Sequence, residues 1–145
     1  MRGPQRQGTA LVAVVTAAVA LCWRMSIDFH VEHRLHYAVV RVDGEPTLDE
    51  FLESMARFGT ESTAWPQGRL MCDLRSIRTL QSFTEQYAVG EAVVRHLPHM
   101  RKIASLVPGD RVTRASQKTA QRAGANLMVF SDEAEAIQWL NSDQP

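Results

Sequence analysis

Hydrophobic and polar residues exchange places along this chain with two different periods, and each change of period marks an element. From Ser26 onward, Ile27, Phe29 and Val31 alternate with Asp28, His30 and Glu32, the period-two pattern of a strand with one face buried. LHYAVVRV, residues 35–42, predicts a second strand, richer in β-branched and aromatic residues and apolar on both faces for most of its length. The link at Glu32 to Arg34 is too short for a parallel crossover, so the two strands are expected to pair as a hairpin.

After Asp43 and Gly44 the period lengthens. Thr47-Leu-Asp-Glu50 is a capping box, and Leu48, Phe51, Leu52, Met55 and Phe58 fall on one face of a helix that Gly59 is expected to end. A polar link through Trp65, Pro66 and Gly68 leads to a short strand at 70–72. Ser82-Phe-Thr-Glu85 is a second capping box. Phe83, Tyr87, Gly90, Val94 and Leu97 follow at helical steps until Pro98 forbids further helix. IASLV, 103–107, is a continuous apolar run, as expected of a strand covered on both faces, and Pro108-Gly109-Asp110 turns the chain. A third helix is predicted from about Arg111 to Ala123, with the small inner residues Val112, Ala115, Thr119 and Ala123, closed by Gly124. LMVF, 127–130, is the last strand. Ser131 is expected to cap a final helix carrying Ala134, Ile137 and Leu140, with Asp132 and Glu133 at its positive end.

The order is ββαβαβαβα, which predicts an α/β fold: one sheet of five strands, the first antiparallel, the rest parallel with right-handed crossovers. All strand-to-helix turns then open on one rim, where α/β proteins place ligands and switches. Asp43, Asp73, Ser76, Asp110 and Ser131 map to that rim, and Arg75 and Arg111 stand beside them. Helices wound the same way fall mostly on one face. The other face, to which Tyr37 and Val39 point, is therefore expected to need cover from a second chain, a ligand or loop aromatics.

Composition narrows the functional classes. A chain of 145 residues, 45% hydrophobic and 22% charged, fits one soluble domain. Sixteen basic and sixteen acidic residues cancel, so nothing argues for a nucleic-acid partner. Cys22 and Cys72 form neither a disulfide framework nor a metal pair. Residues 10–23 are an apolar stretch too short for a comfortable membrane span, and Ala18-Val19-Ala20 resembles a signal-peptide cleavage site. The strand pattern begins within two residues of Met25. We therefore expect 25–145 to be the domain and 1–24 to be a mis-assigned start, giving a cytoplasmic protein, with export or membrane anchoring through 10–23 as the alternative. Removing 1–24 takes away three arginines and leaves thirteen basic against sixteen acidic residues, a net charge of −3.

HYAVVRVDGEPTLDEF, GRLMCDL, RKIASLVPGD and GANLMVFSDEAEAIQWL together resemble the SpoIIAA-like branch of the STAS and SEC14 superfamily, over Ser26 to Leu140. The tail, with its acidic turn Asp132-Glu133 and the helix closing on Ala136-Ile137-Gln138-Trp139-Leu140, carries the resemblance most specifically. The resemblance implies a regulator acting through protein contacts, as STAS domains do, or a lipid binder, as SEC14 domains are. STAS domains switch on a serine within Asp-Ser-Ser-Gly after the third strand. Here Asp73 is followed by Leu74-Arg75-Ser76, so the position directly after the acid is leucine and the glycine is absent. Ser76 is three residues downstream, where a phosphate beside Arg75 and Arg78 at the start of a helix would be electrostatically favoured.

Other constellations are weak. His30, His33 and His36 recur at a spacing that sends them to different faces, and His96 and His99 bracket a helix end, where terminal carbonyls engage them. No metal or cofactor is expected, and no nucleophile elbow, HExxH or phosphate-binding glycine loop provides a seat for catalysis. Arg111, Arg114, Lys118 and Arg122 read as the solvated face of the third helix. The chain thus reads as a non-catalytic module that docks a protein partner or a second copy of itself, a homodimer following from the uncovered face. The alternative is a binder of a lipid or small apolar molecule in a pocket of Phe51, Met55, Phe58 and Trp65.

Overall fold

The structure is a computed structural model and describes residues 27–111 and 114–143, excluding the side chain of Arg111. The apolar segment 10–23, Ser26 and Val112 lie outside the described residues. Strands β1 (Ile27–His33) and β2 (Ala38–Gly44) precede α1 (Leu48–Ser62), β3 (Arg69–Asp73), α2 (Phe83–His96) and β4 (Lys102–Leu106). A 3₁₀ turn (Gly109–Arg111), α3 (Ala115–Arg122), β5 (Leu127–Phe130) and α4 (Glu133–Asn141) complete the chain. The strands form one sheet in the order β1-β2-β3-β4-β5. β1 pairs antiparallel with β2, Val31 opposite Val40, and the other neighbours pair parallel.

Both capping boxes form as the sequence predicts. The Thr47 hydroxyl accepts from the Glu50 amide and the Glu50 carboxylate accepts from the Thr47 amide, and Ser82 and Glu85 repeat the exchange. Other boundaries differ for tertiary reasons. β2 begins at Ala38 rather than Leu35, because the Arg34 amide bonds the Tyr37 carbonyl at 2.9 Å in the hairpin turn and Leu35 is left in solvent. α1 runs past Gly59 to Ser62. Gly59 is buried against α2, where an added Cβ would collide with the His96 carbonyl oxygen, so it marks a crossing of helices and not a helix end. α3 starts at Ala115, not Arg111, after the left-handed residue Arg114 (φ 58°). Its buried residues are Ser116 and Ala120, while Ala123 is exposed. Asp132, not Ser131, caps α4, its carboxylate accepting from the Ala134 and Glu135 amides.

The core has two layers. On one face of the sheet, Val40, Leu70, Ile103 and Leu127 meet Phe51 and Met55 of α1, Val89 and Val93 of α2 and Ala120 of α3. On the other, Tyr37, Val39, Met71, Ala104 and Leu106 meet Ala136 and Leu140 of α4. The face expected to be bare is thus covered by the chain's own last helix, which removes the geometric ground for a homodimer. That helix is pinned at its carboxyl end. The Lys102 ammonium donates to the Trp139 and Ser142 carbonyls at 2.9 and 2.7 Å and lies 5.0 Å from the Trp139 ring centroid, and Arg69 donates to the Leu140 carbonyl. Burial, then the nearby Arg69 charge, hold the Lys102 pKa below the usual lysine value.

Candidate functional site

Because β2 to β5 run parallel, their carboxyl ends share one edge, and Asp73 is the last residue of β3 on it. Just past the strand, the Leu74 amide bonds the Leu106 carbonyl at 2.9 Å and the Ile77 amide bonds the Leu74 carbonyl at 3.2 Å, so the chain turns back through Arg75 and Ser76. That turn lays the Arg75 guanidinium on the Asp73 carboxylate: Nε donates to Oδ1 at 2.9 Å and Nη2 to Oδ2 at 2.8 Å, while the Arg75 amide also donates to Oδ1 at 3.2 Å. Arg41 Nε stands 3.9 Å from Oδ2, and Arg75 reaches Glu133 on α4 at 3.8 Å. Asp73 is 8% exposed. Desolvation works to raise its pKa, but the hydrogen bonds and charge of Arg75 and the charge of Arg41 outweigh it and hold the carboxyl below the usual carboxylate value.

An ionised carboxylate with both oxygens engaged by arginine is a poor proton acceptor, so the arrangement is a fixed ion pair and not an acid–base centre. Arg41 and Glu133, which complete it, escape a residue-by-residue reading because they come from other strands and helices. Asp43 lies in a separate cluster on the hairpin, where His30 Nε2 stands 3.6 Å from Asp43 and 3.7 Å from Asp28. Asp110 is exposed on the 3₁₀ turn beside a cavity of about 160 Å³, and the backbone of Arg111 follows it. Ser131 is exposed after β5.

Ser76 is exposed between Arg75 and Arg78. It does not stand at a helix start: α2 is capped six residues later, at Ser82, so a phosphate here would draw on the arginines and not on the helix dipole. The expected apolar pocket separates into two parts. Phe51, Met55 and Phe58 line a space of about 50 Å³ under the sheet, whereas Trp65 stands edge-on to Phe58 at 5.1 Å and to His33 at 4.9 Å.

Two histidines act as structural ties. His33 Nδ1 lies 3.1 Å from Gln67 Oε1. His99 Nε2 lies 2.8 Å from the Ser62 hydroxyl, which the sequence did not point to and which, at 1% exposed, no substrate reaches. No group of three or more metal-ligating side chains occurs among the described residues. No helix among them is long and apolar enough to cross a membrane. Cys72 faces the core, and burial, then the charge of Asp73, push its thiol up to about 12.

Two aromatic side chains on the helical repeat of α2 are not buried with the rest of it. Phe83 is 74% and Tyr87 47% exposed, and the buried residues are Val89, Gly90, Ala92 and Val93. The first turns of the helix carry no buried residue, and its burial begins at Val89. The signal for this was present in the capping box, which makes Phe83 the first helical residue.

A sequence model of the family described as SpoIIAA-like matches residues 37–141. Among solved structures, an anti-sigma factor antagonist from Mycobacterium paratuberculosis aligns over 81% of this chain and 96% of its own, with a TM-score of 0.55 and 17% identity. An uncharacterised protein with a SpoIIAA-like fold from Shewanella loihica aligns over 79% and 94%, also with a TM-score of 0.55 and 17% identity. No curated protein matches the chain.

Proposed function

The chain belongs to the SpoIIAA-like family, and from that premise we propose that it is a non-catalytic regulatory module that docks a protein partner on its strand-end rim. The observation that carries this reading is the exposure of Phe83 and Tyr87 at the start of α2, the helix that follows the Asp73–Arg75 turn. Exposed aromatic side chains are what protein interfaces concentrate at their centres. In this reading the Asp73–Arg75 pair, tied to Arg41 and Glu133, is the rigid frame of the docking edge, and Asp43, Asp110 and Arg111 flank it. Ser76 is the position where a phosphate would change the charge of that edge. The structural likeness to an anti-sigma factor antagonist supports a protein contact as the mode of action. The functional unit is residues 25–145, acting in the cytoplasm, and a second copy of the chain is one form the partner can take.

The apolar space under the sheet does not suit a lipid. The space behind Phe51, Met55 and Phe58 is about 50 Å³, against the roughly 300 Å³ at which pockets for drug-sized ligands begin.

The test is quantitative affinity capture with the full chain from its native cell, in parallel with the Phe83→Ser/Tyr87→Ser variant. A protein recovered with the wild type and reduced at least about tenfold with the variant, the scale of losing one hot-spot anchor, supports the proposal. Equal recovery by a folded variant contradicts it.

A further inference from the structure

A cavity of about 160 Å³ opens on the same rim, sharing Asp110 with the docking edge, and its interior is not needed for a partner to dock. It lies between the loop 74–81, the start of α2, the turn after β4 and the first turn of α3, with Leu74, Ile77, Val89 and Val129 among its apolar walls. Two polar groups inside it are unused by the fold. Ser105 on β4 and Ser116 on α3 are 8% and 6% exposed and both line the cavity. Neither hydroxyl has a hydrogen-bond partner among the described residues, yet no buried side-chain oxygen or nitrogen there is both sealed from solvent and unbonded. Both hydroxyls therefore keep some exposure, and the two serines stand where this cavity meets the smaller apolar space under the sheet, placed to bond a guest or the water it would displace.

The surroundings define the guest's charge. α3 has Arg114 as its N-cap with no side-chain cap bond, and Arg114 and Ser116 at this helix start both line the cavity, so among the described residues no side chain caps the amides of the first turn. The Arg114 side chain lines the same space, and so does that of Asp110. Among the described lining residues, one cation and a helix amino end against one carboxylate favour a single negative charge over two. The apolar walls set the guest's body. A dry cavity of about 150 Å³ in another protein accepts benzene, so this volume suits roughly six carbons. The two left-handed residues other than glycine among those described, Leu80 (φ 65°) and Arg114 (φ 58°), both line this cavity, as strained backbone does at ligand sites.

We propose that this cavity binds a small organic monocarboxylate, its carboxylate held by the Ser105 and Ser116 hydroxyls and the first turn of α3 beside Arg114, its apolar body against Leu74, Ile77 and Val129. The test is a titration of the isotopically labelled full chain, followed by amide NMR, with benzoate, benzyl alcohol and inorganic phosphate. Benzoate should give saturable shifts at Ser105, Ser116 and Val129, benzyl alcohol weaker ones and phosphate none. Ser116→Ala and Ser105→Ala delete hydroxyls that bond nothing in the fold, so each should leave the melting temperature unchanged and weaken benzoate by about three- to tenfold, the worth of one hydrogen bond. No saturable shift with benzoate, an equal response to phosphate, or benzoate affinity that survives both substitutions overturns the proposal. The titration contains no protein partner, so its failure leaves the docking edge standing, and failure of the docking edge leaves this site standing.

Discussion

Asp73 shows how one residue is tuned by the turn that follows it. Its carboxylate is buried at the end of β3, and the chain returns Arg75 to it with two side-chain bonds and one backbone bond. Asp73→Asn keeps the size and loses the charge. It should cost about 1–2 kcal/mol at neutral pH, a charge-assisted bond discounted because Arg75 is 41% exposed. The folded carboxyl titrates below its unfolded value of about 3.9. Its stabilisation is therefore complete above roughly pH 4 and is lost as pH falls through the folded value. Urea melts at pH 7 and pH 3 should show the gap between wild type and variant closing in acid, and a gap that persists in acid would place the loss in shape and not in charge. Cys72, beside it, has a thiol raised to about 12, so at pH 8 peptide mapping should find it unalkylated by iodoacetamide in the folded protein and fully alkylated in denaturant.

Elements follow their local signals where those signals are chemical, and depart from them where packing decides. The capping boxes at Thr47 and Ser82 and the existence of β1 were legible because each is written within a few residues, although of the apolar face of β1 only Ile27 is buried and Val31 is 41% exposed. Gly59, Phe83 and Tyr87 were misread because their roles depend on what lies across a helix crossing or beyond the sheet edge, which no window of sequence contains. The candidate site divides the same way: Asp73 and Arg75, two residues apart, do meet, whereas Trp65 does not join Phe51 and Met55 in their cavity. Gly90 makes the distinction measurable. Helix propensity alone predicts that Gly90→Ala gains up to about 1 kcal/mol. The added Cβ would sit 2.7 Å from the Ser116 carbonyl oxygen and 2.9 Å from Thr119 Cβ, so α2 and α3 would have to part. We predict a net loss of about 1–3 kcal/mol in urea melts. A stabilised variant would mean that the two helices are not held at this distance.

At the scale of the whole molecule, three helices pack on one face of the sheet and α4 on the other, so the apolar centre of each face is taken up by the chain itself. What the domain offers outward is its edge: the strand-end rim with the fixed Asp73–Arg75 pair, and the start of α2 with the exposed Phe83 and Tyr87. Interaction through an edge, by a scaffold whose faces are both occupied, is the central claim. The most direct measurement is photo-crosslinking in the native cell with a photoreactive residue placed at position 83, 87 or 138, the last being exposed on α4 at the opposite face. The account predicts a discrete crosslinked protein from positions 83 and 87 and none from 138. The same product from 138 alone, or equally from all three, would contradict it.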